Sequence, residues 1–347
     1  MPTEQELREN PDLEGRMELI RIYGDFPMAY STLQPEMEYY DWRGGEGFIA
    51  YLKRGKNHVV LANPVTEKKA CFGLVKEFID SVPNCCFVQI SPETREVLLR
   101  LGFNVTQLGI ETEVNSDHFS LRGNNMEFLR RPYKKALKEL EVKEVDGDLL
   151  PVFRDISNEW IRSKKASNKR ELRFLTRPLE MEREEYVRVL AATRDGEVIS
   201  YIVFDPIFSN NNLIGYYADI LRSREDAPKG TNTLLMVTGM ERFRQEGVNI
   251  MNLGLSPFYR LNNYEGQSQF TKNLFQSCID GESRFSRPWL DLVLTPLFEY
   301  VARQYSFEGL GFNKSRFRGT EHPVFFAAKP GYGLKAVYDT FKVCQIL

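Results

Sequence analysis

The sequence has few of the residues that build metal centres, disulfide frameworks and membrane spans. Its 347 residues include five cysteines with no CxxC pair and three widely separated histidines. A small number of cysteines without paired spacing is typical of a cytosolic protein with reduced thiols, so we predict no disulfide framework. The histidines show no ligand spacing, so we also predict no bound metal ion. No apolar run approaches the ~18 residues that a membrane-spanning helix needs. The acidic, polar N-terminus also lacks the apolar core of a signal peptide.

The sequence has no excess of positive charge either. Its 46 Lys and Arg and 48 Asp and Glu leave a formal net charge of −2. Bulk charge therefore does not favour nucleic-acid binding, and any RNA contact has to use a local basic patch. One such patch lies on an amphipathic helix predicted over 126–141, and another lies between Arg162 and Arg177, which we expect to be an exposed loop. Solvated surface and a phosphate-backbone contact both remain open for these patches.

Residues 213–258 carry the strongest local pattern in the chain. Leu213 to Leu221 alternates as a half-buried strand does, and a polar loop that ends at Gly230 follows. A helix is predicted from Thr231 to a C-terminal glycine, Gly247, and a second strand follows it. Free N–H groups at the start of this helix are expected to favour a phosphate or a carboxylate.

The order of the predicted elements indicates the fold. The second half reads as three antiparallel strands, a loop, a helix and a strand, which resembles the order of the GNAT acyltransferase fold. The first half, read as β-β-α-β-α-β, resembles a shortened version of that order. We therefore predict an α/β (α+β) fold of two tandem GNAT-like domains, residues 1–125 and 126–347, with mixed, largely antiparallel sheets flanked by helices. The last predicted helix, 333–347, is amphipathic, and it can either lie on a membrane surface or pack against the body.

Several short segments resemble one family in their order and spacing. They are Trp160, Asp219-Ile220-Leu221-Arg222, Asp226-Ala227-Pro228-Lys229-Gly230, Asn252-Leu253-Gly254-Leu255-Ser256-Pro257 and Phe312-Asn313-Lys314-Ser315-Arg316-Phe317. Together they resemble the C-terminal catalytic domain of bacterial phosphatidylglycerol lysyltransferases, most densely from about 128 to 328. The resemblance implies transfer of an amino acid from aminoacyl-tRNA to a hydroxyl acceptor, by family default phosphatidylglycerol. It implies no cofactor besides the aminoacyl-tRNA donor, and a cytoplasmic protein or one peripheral at the inner face of the membrane.

The same resemblance implies the site residues. The catalytic candidates are Asp219, Arg222, Lys314 and Arg316, with Asp219 holding the donor's α-ammonium or the acceptor hydroxyl and Arg222 facing a phosphate or the developing oxyanion. Residues 219 and 222 point to opposite faces of a regular strand, so a bend is needed for both to serve one site. Lys314 and Arg316 are expected to face one cleft from a strand-like segment. The substrate-binding candidates are Tyr217, Gly230, Thr231, Asn252 and Ser256, and the tRNA-binding candidates are Arg130, Arg131, Lys134, Lys164, Lys165, Lys169 and Arg170.

Three other functions remain open. Lysyltransferases of this family usually carry an N-terminal membrane module, and its absence from this sequence keeps open a soluble transferase acting on a small natural-product intermediate. A CoA-dependent N-acyltransferase is a second alternative, although the Gly-rich turn of such enzymes is replaced here by Arg222 to Gly230, with one glycine missing and Pro228 removing an N–H donor. A non-catalytic module that binds RNA or lipid through the two basic stretches is the third.

Overall fold

The computed structural model describes residues 13–145, 149–163, 172–179, 185–259, 307–330 and 333–346. Within these ranges the chain forms twelve strands, which are β1 (Glu38–Trp42), β2 (Gly47–Arg54), β3 (Asn57–Leu61), β4 (Val65–Thr66), β5 (Cys85–Ile90), β6 (Asn104–Asn115), β7 (Glu141–Glu144), β8 (Arg188–Arg194), β9 (Glu197–Ser209), β10 (Asn212–Ser223), β11 (Ile250–Pro257) and β12 (Thr320–Ala328). They form one sheet in the order β1-β2-β3-β5-β12-β6-β11-β10-β9-β8-β7, with β4 paired to β2. β3 pairs with β5 and β10 with β11 in parallel, and the other pairs are antiparallel. The predicted mixed, largely antiparallel strand arrangement of an α/β fold is confirmed, and the strands form one continuous sheet.

Helices cover both faces of this sheet. They are α1 (Leu13–Tyr23), α2 (Cys71–Ser81), α3 (Pro92–Arg100), α4 (Glu127–Glu139), α5 (Leu150–Ser163), α6 (Thr231–Gln245), α7 (Phe307–Ser315) and α8 (Gly333–Val343). Neighbouring residues of β10 show the two layers, because successive strand side chains point to opposite faces. Tyr216 packs in one apolar cluster with α4 and α6, whereas Tyr217 packs in another with α1 and α8. The apolar side of α8 is therefore buried against the body, which confirms one of its two predicted placements.

The two halves of the chain share the sheet. β11, from the second half, pairs with β6 of the first half. β12 lies between β5 and β6, so the C-terminal part of the chain supplies an inner strand of the first half's sheet. The division into 1–125 and 126–347 remains a prediction, and strands of the two sides are interleaved at the centre of the sheet.

Two local features differ from the sequence analysis, and one prediction is not tested. β1, with the sequence Glu-Tyr-Tyr-Asp-Trp, was not predicted because charges interrupt its apolar alternation. The segment at Lys314 ends a helix and is not strand-like, since α7 continues to Ser315 and Phe317 N donates to Lys314 O in the turn that follows. The helix predicted over 289–304 lies outside the described residues.

Gly230, the residue before α6, packs tightly against α4. It has a φ of +103°, and a Cβ built there would lie 2.1 Å from the carbonyl oxygen of Pro132 in α4. We expect Gly230→Ala to lower the free energy of unfolding by about 1–2 kcal/mol for its left-handed backbone and by about 1–3 kcal/mol more for the clash. Gly247→Ala is the matched control, because Gly247 ends α6 in a left-handed turn with a φ of +85° and has nothing within 4 Å of its built Cβ. Equal losses in the two variants, measured by chemical denaturation, would contradict a packing role for Gly230.

Candidate functional site

The centre of the sheet opens between β10 and β11. These strands pair only from Gly215↔Ile250 to Tyr217↔Asn252. Beyond that point β10 continues against β9, and β11 continues against β6. Asn252 pairs with Glu113 of β6 and Leu255 pairs with Glu111, so β11 contains one extra residue between these two pairs. Gly254, within this irregularity, has a φ of +83°. We call the place where the two strands separate the fork.

A β-bulge at the fork supplies the bend that Asp219 and Arg222 require. β10 pairs Ala218 with Phe204 and Ile220 with Val203, so Asp219 is an extra residue without its own partner on β9. An extra residue shifts the side-chain alternation of a strand by one position. Leu221 accordingly packs with the α6 cluster, while Ile220 lies in the cluster of α5. Asp219 and Arg222 therefore lie on the same face of β10, as predicted for a shared site.

Asp219 lies beside a buried ion pair. Asp205 is 0% exposed, and the Arg177 guanidinium binds it through two hydrogen bonds, Nε to Oδ2 at 2.9 Å and Nη2 to Oδ1 at 2.8 Å. The backbone N–H of Arg177 donates to Asp219 Oδ2 at 3.0 Å. Arg177 is thus a structural cation at the sheet, and its expected place in an exposed basic loop is wrong.

The second carboxylate oxygen of Asp219 is not satisfied by the residues that the structure describes. Oδ1 is buried and has no hydrogen-bond partner in the described structure. Burial and the nearby charge of Asp205 raise the pKa of Asp219 well above its ordinary value, and the guanidinium groups of Arg177 and Arg222 oppose that rise. A buried carboxylate oxygen that lacks a partner is costly unless a bound donor satisfies it.

Arg222 is held between a strand and an aromatic ring. Its side chain is buried, Nη1 donates to the Leu221 carbonyl at 3.1 Å, and the guanidinium carbon lies 4.0 Å from the ring centroid of Trp160 in α5. Stacking on an aromatic face orients the plane of a guanidinium and stabilises its charge. Trp160 was one of the positions that carry the family resemblance, and the structure places its ring against Arg222.

Lys314 reaches the fork from the end of α7. Its ammonium group is buried and donates to the Leu255 carbonyl at 2.9 Å, and a Cβ built on Gly254 would lie 3.3 Å from Nζ. Glu111 of β6 is also buried, and Gln89 Nε2 donates to its Oε1 at 2.6 Å. Burial lowers the pKa of Lys314 to about 7, with Glu111 opposing the fall, and burial raises the pKa of Glu111 to about 7.

Tyr217 and Asn252 also lie at the fork, where Tyr217 is close to Asp219 and Glu111 and Asn252 is close to Glu111. Tyr217 is buried, and burial together with the charges of Asp219, Glu111 and Asp205 raises the pKa of its hydroxyl well above the ordinary value. Asn252 Oδ1 accepts from the Gly254 N–H at 2.8 Å, and its side chain also hydrogen-bonds Glu111. Both predicted substrate-binding residues thus lie at the fork, although their roles remain predictions.

The predicted anion site at the start of α6 differs from expectation. Thr231 is buried, and both its backbone N–H and its hydroxyl donate to the Pro228 carbonyl, at 3.1 and 2.7 Å. Gly230 packs against Pro132. The expectation of a free N–H at Thr231 is therefore wrong, because the loop uses that donor internally.

Arg316 and Ser256 do not share the contacts of Lys314. The guanidinium carbon of Arg316 lies 4.4 Å from the ring of Phe312 and 5.3 Å from that of Phe128, and both rings are exposed. Because the helix ends between residues 314 and 316, the expectation that the two cations face one cleft from a strand is wrong. Ser256 is fully buried on β11 with no hydrogen-bond partner for its hydroxyl among the described residues.

The basic helix α4 presents part of its predicted charge. Arg131 and Lys134 are exposed, with Arg131 paired to Glu127 at 2.7 Å. Arg130 instead donates to the carbonyls of Leu121 and Gly123 at 2.9 and 2.7 Å, so it holds the preceding loop. Lys164, Lys165, Lys169 and Arg170 lie outside the described residues.

Three residues of the fork and its surroundings were not singled out from the sequence: Gln89, Glu111 and Asp205. Asp205 gave a signal, because it is a lone acid within the apolar run from Val198 to Phe208. A charge inside a buried strand requires a partner, and this rule would have pointed to Arg177 or another cation. Gln89 and Glu111 gave no local signal, since their meeting depends on the pairing of β5, β12 and β6.

Two general properties of the described ranges bear on function. They hold no group of three or more His, Cys, Asp and Glu side chains able to bind a metal ion. None of their helices combines the length and the apolar character needed to cross a membrane.

Comparison with known proteins places the chain in a family. Residues 17–328 match the family model described as phosphatidylglycerol lysyltransferase, C-terminal. A phosphatidylglycerol lysyltransferase of Bacillus subtilis is 21% identical over 319 residues, which are 89% of this chain and 34% of the relative, so the chain spans about a third of that protein.

Solved structures show the same fold. L-PGS from Bacillus licheniformis superposes with a TM-score of 0.74 at 20% identity, over 97% of this chain and 96% of that one. FemX superposes with a TM-score of 0.56 at 11% identity, over 94% and 98%. With the family match extending from α1 through β12, the chain belongs to the family of phosphatidylglycerol lysyltransferase C-terminal domains.

Proposed function

We propose that this chain is an aminoacyltransferase that moves an amino acid from aminoacyl-tRNA to the hydroxyl of phosphatidylglycerol. The observation that carries the proposal is the unpartnered, buried Oδ1 of Asp219 at the fork. An α-ammonium group offers three N–H donors, and its positive charge favours the ionised form of Asp219, whose pKa is otherwise raised by burial. The names of the relatives support both the amino acid and the lipid acceptor.

The chemistry asks the protein for placement and charge. The donor is already an activated ester, the acceptor hydroxyl attacks its carbonyl carbon, and the bond to the tRNA ribose breaks. The hydroxyl proton is lost from the acceptor, and the ribose oxygen gains one as it leaves. Asp219 orients the donor through its ammonium, while Arg222 and Lys314 supply N–H groups and positive charge for the developing oxyanion. Aminoacyl-tRNA is the donor in this scheme, and no further cofactor takes part in it.

Binding of the donor RNA is assigned to the exposed cations of α4, Arg131 and Lys134 in particular. Phosphate contacts need only point charges along the backbone of the nucleic acid. The acyl-CoA alternative is disfavoured by the start of α6, where the N–H of Thr231 is used by Pro228 and is not free for a pyrophosphate. The proposed location is the cytoplasm, with peripheral contact at the membrane that contains the lipid acceptor.

A transfer assay tests this proposal. Purified protein is incubated with total tRNA charged with radiolabelled amino acids and with phosphatidylglycerol vesicles or a small-molecule extract. We expect label in the organic-soluble lipid fraction, and Asp226→Asn as a surface control is expected to leave that transfer unchanged. Label only in small water-soluble products would replace the lipid acceptor, and no transfer together with tight binding of CoA would overturn the proposal.

A further inference from the structure

Glu111 and Gln89 come from the first half of the chain, yet both contribute to the fork of the second half. Glu111 is 5% exposed and Gln89 is 3% exposed. Gln89 has a φ of +60°, uncommon for a residue other than glycine, where β12 passes from Phe325↔Ile90 to Phe326↔Val88. This irregularity places its amide on Glu111 at 2.6 Å. A strained backbone that delivers a polar side chain to a buried carboxylate is typical of functional sites.

The Glu111 carboxylate is fixed by neutral donors and faces one cation. Gln89 and Asn252 both hydrogen-bond it. Leu255, which is the partner of Glu111 on β11, accepts the Lys314 ammonium through its carbonyl at 2.9 Å, and this places the cation beside Glu111. The groups that face this pair from the surrounding elements include Glu113 on β6 and Tyr217 on β10. Among the groups around Lys314, it is the Glu111 charge that favours the ammonium form of the lysine. A buried lysine without such a partner becomes a neutral amine.

We propose that Glu111 is a positioning residue for the transfer reaction, which keeps Lys314 protonated at the fork while Gln89 holds the carboxylate in place. This proposal rests on the proposed function for its catalytic meaning. The ammonium of Lys314 already donates to the Leu255 carbonyl, and its remaining N–H groups serve the ester oxygen as it becomes negative. The first half of the chain therefore acts on the reaction without touching the substrate.

The direction of the pH effect follows from the two buried groups. The Lys314 ammonium, with a pKa of about 7, is lost as the pH rises through the same range in which Glu111, whose pKa is also about 7, gains its charge. Removal of the Glu111 charge removes the influence that raises the pKa of Lys314. In Glu111→Gln the ammonium is therefore lost at a lower pH than in the parent protein.

The first measurement is an NMR titration of protein labelled with ¹³C at lysine Cε, with the Lys314 signal assigned by Lys314→Arg. We expect the midpoint for Lys314 to fall by about 1 pH unit in Glu111→Gln and by less in Glu111→Asp. Glu113→Gln, on the same strand, is the matched control and is expected to move the midpoint far less. An unchanged midpoint in a folded Glu111→Gln protein would overturn the proposal, whether or not the protein transfers amino acids.

The second measurement is the pH profile of transfer, with lysyl-tRNA as the donor and phosphatidylglycerol vesicles as the acceptor. Glu111→Gln is expected to lose about tenfold in rate at pH 7.5, to recover most of it near pH 6, and to move its alkaline limb with the Lys314 midpoint. A uniform loss at every pH would indicate a merely structural role and would contradict the proposal. If the parent protein transfers nothing, the titration still decides the link between Glu111 and Lys314, and the proposed function fails separately.

Discussion

Asp219→Asn is expected to lower the rate of aminoacyl transfer by about 10²–10⁴-fold while leaving the fold at least as stable. The carboxamide oxygen can still accept the N–H of Arg177, which now binds Oδ2 at 3.0 Å. It carries no charge to hold an ammonium group. Activity and stability therefore separate in this variant, and their separation identifies Asp219 as a residue kept for function.

The stability part of this prediction depends on pH. Because burial and Asp205 raise the pKa of Asp219 in the folded state, the parent protein loses stability as the pH rises above about 4, where the unfolded chain ionises at no such cost. Asp219→Asn lacks that loss, so its advantage is expected at neutral pH and not in acid. Urea denaturation at pH 4 and pH 7.5 measures the difference.

The matched control is Asp226→Asn, an exposed residue that is paired with Arg194. It is expected to change stability by less than about 1 kcal/mol and to leave transfer unchanged. Equal transfer by Asp219→Asn and the parent protein would remove Asp219 from the mechanism. A strong loss of stability at neutral pH would instead show that its charge supports the fold.

Arg177→Met is expected to lower the free energy of unfolding by about 3–5 kcal/mol. The substitution leaves Asp205, which is 0% exposed, without the two hydrogen bonds of the guanidinium. It also removes the cation that moderates the repulsion between Asp205 and Asp219. Few single substitutions outside the apolar core should cost as much.

A double-mutant cycle tests the cause of this loss. The cost is expected to come from leaving the Asp205 carboxylate without its guanidinium. In that case Arg177→Met combined with Asp205→Asn should lose less free energy of unfolding than the sum of the two single variants. Arg194→Met, which breaks the exposed pair with Asp226, is the control and should cost less than about 1 kcal/mol. Equal losses for Arg177→Met and Arg194→Met in chemical denaturation would contradict the importance of the buried pair.

The elements of this fold could be predicted from the sequence more readily than their arrangement. Alternation in Leu213–Leu221 and helical spacing after Thr231 are local patterns, so β10 and α6 were predicted close to their observed bounds. The insertion of β12 between β5 and β6 depends on pairing over a long sequence separation, and no local pattern encodes it. The segment at Lys314 was predicted to be strand-like because its two cations are two residues apart. The same short pattern fits the end of a helix equally well, and the structure has a helix end there.

The candidate site shows the same division. Asp219, Arg222 and Lys314 stand in motifs that can be compared with a family, and the need for a bend at Asp219 followed from strand geometry alone. The bulge itself is set by the partner strand, which the sequence of β10 does not contain. Gln89 and Glu111 meet only after β5, β12 and β6 are assembled, so their interaction with the fork could be found only in three dimensions.

The place of β12 also governs the order in which the molecule can be completed during synthesis. Ala328 pairs with both Cys86 and Asn104, residues that leave the ribosome long before it. Until β12 arrives, facing edges of β5 and β6 have no strand between them, and unpaired edges invite association with other chains. Pairing at such sequence separation is also slow. The sheet of the first half therefore stays incomplete until β12 has emerged.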